Sequence, residues 1–115
     1  MTTPPTLTTR PGPGYLIVEL RGPLDFETVP GVRPRLNRIV ADGARTVVLD
    51  LTEVPQADSS ALSLIAWLHK QLLARGGGVC IAGPQPSVRH LLEVTAIDRL
   101  IPVYPDTAAA VARLT

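Results

Sequence analysis

The sequence predicts a single α/β domain, a mixed and mostly parallel sheet of four to five strands with about four helices packed on it. Three observations carry this. Short β-branched runs alternate with longer segments of helical periodicity in the order β, α, β, α, β, α, β, α, which demands crossover connections and parallel neighbours. One run, Val47 to Leu51, is apolar almost without interruption, as in a strand covered on both faces. The 115 residues, 45% of them hydrophobic, are enough for one core and too few for two.

Residues 1–14 hold four of the twelve prolines and several threonines; they read as a flexible arm, in which Leu7 to Arg10 form an edge strand at most, with the domain proper at 15–115. Tyr15 to Arg21 is β-branched and apolar and stops at Gly22-Pro23. From Thr28, Val29, Val32, Leu36, Ile39 and Val40 recur at helical spacing up to Asp42-Gly43. Pro30 suits a first turn, whereas Pro34 predicts a late start or a kink. Arg45 to Leu51 is the central strand. Residues 60–75 are the longest helical pattern, ended by Gly76-Gly77-Gly78. Val79 to Ala82 is a short strand, Pro86 to Val94 a helix, Leu100 to Tyr104 a further strand, and Asp106 to Leu114 an alanine-rich helix with Asp106 or Thr107 at its cap.

Charge and cysteine content exclude several functions. Eleven basic and ten acidic residues leave a net charge of +1, with no basic stretch dense enough for nucleic acid. Cys80 is the single cysteine and sits in a strand as a small hydrophobe, which fits a reducing compartment. No signal peptide and no membrane span is visible, so the expected location is the cytoplasm. There is no Gly-x-Ser-x-Gly elbow, no base for a serine in His69 or His90, no phosphate loop and no cluster of metal ligands, so neither an enzyme nor a cofactor is expected.

The informative segment runs from Asp50 to Leu62: a buried strand, a short loop, and Asp58-Ser59-Ser60 opening a helix. All three residues are good N-caps, and capping alone accounts for them. At ~100° per residue, Leu62, Ile65, Ala66, His69, Leu72 and Leu73 form the expected core stripe. Ser60, Ser63, Leu64, Trp67 and Gln71 gather opposite. Trp67 there is either a binding anchor or a residue packed under a neighbouring element.

Three sets of residues resemble the anti-sigma-factor antagonist family, the bacterial members of the STAS domain class shared with sulfate transporters. They are Gly22-Pro23-Leu24-Asp25; Leu49-Asp50-Leu51 with Val54 and Asp58-Ser59-Ser60; and Gly76-Gly77-Gly78 with Val79 to Ala82, Ser87-Val88-Arg89 and Leu92. Their order and spacing over about residues 15 to 114 make the resemblance specific. It implies a STAS-like fold and a partner switch. The unmodified form binds an anti-sigma factor with serine kinase activity and so frees a sigma factor. Phosphorylation of Ser60 ends the binding, and a phosphatase resets it. The candidate contact surface is Asp25, Asp58, Ser59, Ser60, Ser63, Leu64 and Trp67, on a monomer or weak dimer. Ala61 stands where the family usually has glycine, which places a methyl beside the serine. The alternative is a non-catalytic scaffold subunit of a signalling assembly in which Ser60 is only a helix cap.

Overall fold

The computed structural model describes residues 6–115; the first five residues of the expected arm lie outside them. The elements are β1 (Thr6–Gly12), β2 (Tyr15–Arg21), α1 (Val29–Ala41), β3 (Thr46–Glu53), α2 (Ser59–Leu73), β4 (Gly78–Ala82), α3 (Pro86–Val94), a 3-10 turn (Ile97–Arg99), β5 (Val103–Tyr104) and α4 (Thr107–Leu114). They build one five-stranded sheet in the order β1-β2-β3-β4-β5. β1 pairs antiparallel with β2, and the remaining neighbours are parallel. The edge strand allowed for at Leu7 to Arg10 therefore runs from Thr6 to Gly12.

Strand order and strand sequence coincide, and this dictates where the helices go. Right-handed crossovers that always step the same way across a sheet leave all their helices on one face. Accordingly α1, α2 and α3 bury Val32, Leu36, Leu64, Ile65, Leu68, Leu72, Val88 and Leu92 against the inner residues of the strands. α4 is the only helix on the other face among the described residues; Ala110 packs there with Ile17, Val48, Cys80 and Ala82. Burial in this thin layer pushes the Cys80 thiol up to about 11.

Two expectations are corrected. Of the late start or kink expected from Pro34, the late start is overturned: α1 begins at Val29 and runs on through Pro34 to Ala41. Pro30 and Pro34 both lie on the exposed side of the helix. The Pro30 carbonyl that loses its N–H partner thus faces water, which lowers the cost of a proline inside the helix. The last strand is also shorter than Leu100 to Tyr104, because Ile97 to Arg99 take a helical turn and Leu100 and Ile101 close on the Ile97 carbonyl.

Candidate functional site

Parallel strands aim their carboxyl ends, and the loops that follow, at one end of the sheet, where open α/β folds place their sites. Here the loops after β2, β3 and β4 meet and are stitched together. The Leu24 N–H donates to the Gln56 carbonyl at 3.0 Å, and the Asp58 N–H to the Leu24 carbonyl at 3.3 Å. Gln85 donates to the Thr52 carbonyl at 3.0 Å and Ser87 to the Pro55 carbonyl at 3.2 Å.

Asp58 is the centre of this junction. Its Oδ1 accepts from the Ser60 N–H at 2.8 Å and the Ala61 N–H at 3.4 Å, capping α2. Its Oδ2 accepts from the Phe26 N–H at 3.1 Å, from a loop 32 residues earlier. One carboxylate thereby fixes a helix start and a second loop. Of the three residues suited to the cap, Asp58 takes it; the reading of Ser60 as the cap is corrected. An extended backbone at Asp58 lets its short side chain reach back over the first turn, which the helical Ser60 cannot do.

Asp25 serves the other loop. Its Oδ1 accepts from the N–H groups of Glu27 at 3.0 Å and Thr28 at 3.1 Å, while the Thr28 hydroxyl donates to the Pro23 carbonyl at 2.9 Å. This closed turn leads into α1 and pushes the intervening Phe26 outward. Phe26, the one phenylalanine of the chain, is 69% exposed. The sequence reading missed it; an aromatic residue directly after the Gly-Pro-Leu-Asp turn was the available signal.

Ser59 and Ser63 lie exposed one turn apart on α2, and Ser60 is half-buried beside Asp58. Ser60 makes no side-chain hydrogen bond among the described residues, so its hydroxyl is not committed to the fold. Ala61, next to Ser60 in the first turn, is fully buried, so the departure from glycine adds a methyl to the core.

Leu64 does not belong to the contact surface. It is 1% exposed, and the buried arc of α2 is Ala61, Leu62, Leu64, Ile65, Leu68 and Leu72. The arc is rotated by roughly a quarter of a circle from the expected stripe. Leu68 lies at its middle, while Ala66 and Leu73 face solvent. α1 flanks α2 on the sheet, which draws Leu64 inward. Trp67 is half-buried against the core, with the Arg33 guanidinium of α1 5.0 Å from its ring centroid. That is a cation–π contact between neighbouring helices. The structure thus brings Asp25, Asp58, Ser59, Ser60 and Ser63 to one end of the molecule, adds Phe26, sets Trp67 further along α2 and removes Leu64. Of the two histidines, His90 is exposed on α3, and His69 Nδ1 accepts from the Val79 N–H at 3.0 Å, a structural bond.

Comparisons with known proteins bear on the fold and the family. The chain is similar to the anti-sigma F factor antagonist of Paenibacillus polymyxa, 29% identical over 102 residues that span 88% of this chain and 87% of the relative. It is 30% identical over 90 residues to the anti-sigma-B factor antagonist of Staphylococcus aureus, spanning 78% of this chain and 83% of that one. The crystal structure of an anti-sigma factor antagonist from Mycobacterium paratuberculosis superposes with a TM-score of 0.85 at 25% identity, over 97% of each chain. The family model of the STAS domain matches residues 5–110. The chain belongs to the STAS domain family, among the anti-sigma factor antagonists.

Proposed function

We propose that this protein is a non-catalytic partner switch controlled at Ser60. Unmodified, it binds an anti-sigma factor through the end of the sheet that carries Phe26, Asp25, Ser59, Ser60 and Ser63, and so frees a sigma factor. The anti-sigma factor, acting as a serine kinase, phosphorylates Ser60 and is released; a phosphatase restores the hydroxyl. The switch operates in the cytoplasm as a monomer or weak dimer, without nucleic acid or membrane. No helix among the described residues is long and apolar enough to cross a membrane.

One observation carries the reading: the single Asp58 carboxylate holds the Ser60, Ala61 and Phe26 N–H groups together. A phosphate on Ser60 adds nearly two negative charges beside it and competes for the same helix N–H groups. The carboxylate is repelled, the bond to the Phe26 N–H weakens, and the contact surface changes both charge and shape. The fold itself keeps its N-terminal anion, since phosphate is as good a partner for the helix start as aspartate.

The test uses a candidate anti-sigma kinase, ATP and intact mass, followed by phosphopeptide mapping. Phosphate should appear on Ser60 alone, and Ser60→Asp should bind the unreacted partner at least tenfold more weakly than Ser60→Ala. Phosphate on Ser59 or Ser63, or equal affinity of the two variants, would reject the switch. Equal affinity together with tight binding would favour the scaffold-subunit reading.

A further inference from the structure

The hairpin fixes the backbone chemistry of the outer strand. Pro13 and Gly14, the latter at φ +79, make a two-residue turn that closes on the pair Gly12 and Tyr15. In an antiparallel pair the residues that exchange hydrogen bonds alternate along the strand, and a two-residue turn is flanked by one such pair. Thr8, Arg10 and Gly12 therefore bond to β2, while Leu7, Thr9 and Pro11 turn their backbone groups outward. The guanidinium of Arg35 on α1 donates to the Leu7 carbonyl at 2.9 Å, as this phase requires. Pro11 has no N–H to offer. Thr9, exposed, presents both an N–H and a carbonyl on the edge that no strand covers among the described residues, next to the outward N–H of Leu7.

Between this edge and α1 lies a groove of about 390 Å³, lined by Leu7, Thr9, Pro34, Arg35, Arg38 and Ile39. Its apolar lining comes from Leu7, Pro34 and Ile39. Its charged lining residues, Arg35 and Arg38, are both positive; Arg38 pairs at 3.8 Å with Asp42 just past the helix, an exposed pair that water screens. We propose that this groove takes an extended, acidic segment of a partner protein by strand addition. Its main chain pairs with Thr9, its carboxylates meet Arg35 and Arg38, and its apolar side chains rest on Leu7 and Ile39. A second copy of this chain is a poor occupant, because joining two β1 edges gathers two sets of Arg35 and Arg38 along one seam. The groove does not involve Ser60, so this inference stands apart from the switch.

The probe is a fluorescein-labelled octapeptide of alternating valine and glutamate, with a valine–lysine counterpart, titrated into the full chain by anisotropy. The glutamate peptide should bind saturably and the lysine peptide at least tenfold more weakly. Binding should shift the Thr9 amide resonance and slow its hydrogen exchange. Arg38→Glu should weaken the glutamate peptide at least tenfold, and Thr9→Pro should abolish pairing. If Thr9→Pro does not fold, the helix-surface variant Arg38→Glu and the Thr9 amide of the unaltered chain still decide. Absence of saturable binding, equal binding of the two peptides, or binding that leaves the Thr9 amide unmoved overturns the proposal. So does a concentration-dependent dimer by sedimentation that Thr9→Pro removes, since the edge would then belong to a second copy.

Discussion

At the carboxyl ends of β2 and β3 the loops are held by side-chain carboxylates, Asp58 and Asp25, accepting from backbone N–H groups. At the amino ends of β3 and β4 backbone lies against backbone. The Gly77 N–H closes α2 on the Leu72 carbonyl at 2.9 Å, and the Gly78 N–H continues to the Arg45 carbonyl at 2.9 Å. One end is joined by side-chain charge as well as by backbone bonds between its loops. The other is built from shape, and at Gly77 it has no room for an added Cβ. Exposed apolar side chains divide in the same way: Phe26 stands alone at the first end, while Leu73 and Leu100 lie on segments leading into the second.

The comparison fails first if the shape-built end proves soft. A Cβ on Gly77 runs into the Arg45 carbonyl, so Gly77→Ala must part β3 from the α2 turn. We expect a loss of ~3 kcal/mol or more in denaturant unfolding, the scale of overpacking against backbone. At the charge-built end Asp58→Ala removes a helix cap and the acceptor for Phe26, a loss of ~2 kcal/mol by the same measurement. Asp58→Asn, which keeps an acceptor oxygen, should recover most of it. A loss for Asp58→Ala equal to that for Gly77→Ala would erase the distinction.

The shape-built end also has a pH dependence with a definite sign. Burial lowers the His69 pKa, and its Nδ1 is an acceptor for the Val79 N–H. A histidine depressed in the folded state contributes its full stability above the unfolded value of about 6.5 and loses it as pH falls through the lower folded value. The melting temperature should therefore drop between pH 7.5 and 5.5, and less so in His69→Gln. The smallest effect is a gain. α1 and α2 end on left-handed glycines, Gly43 at φ +105 and Gly76 at φ +84, whereas α3 ends on Ala96 at φ 61. Ala96→Gly relieves strain of ~1 kcal/mol but loosens the unfolded chain. A net increase of ~0.5 kcal/mol should appear as a higher urea midpoint.

The charge-built end was partly legible in the sequence, because short polar residues at a strand-to-helix junction announce a cap whatever surrounds them. The same local chemistry marked the Asp106 cap, whose Oδ1 accepts from the Ala109 N–H at 2.7 Å, while Tyr15–Arg21 was marked by its β-branched run and the Gly22-Pro23 stop. The facing of α2 was not legible. Its apolar residues cover so much of the circumference that spacing does not locate the middle of the arc, and only packing beside α1 places Leu64 and Leu68 inward. Phe26 escaped for the opposite reason. It belongs to no periodic element, and its exposure follows from a local Asp25 turn and from an Asp58 bond that joins two distant segments.

The agreement between strand order along the chain and across the sheet has a consequence in time. Each strand's lateral neighbour is the next one synthesised, so the sheet can grow from the β1–β2 hairpin one crossover at a time, without inserting a late strand between two early ones. Loop-closure entropy is met in short instalments, and no long-range pairing has to wait for the far end of the chain. A circular permutant opened within the loop between β3 and α2 would separate β3 from the crossover that leads to β4. Its refolding should slow more than its stability falls, a difference that stopped-flow fluorescence at Trp67 can read.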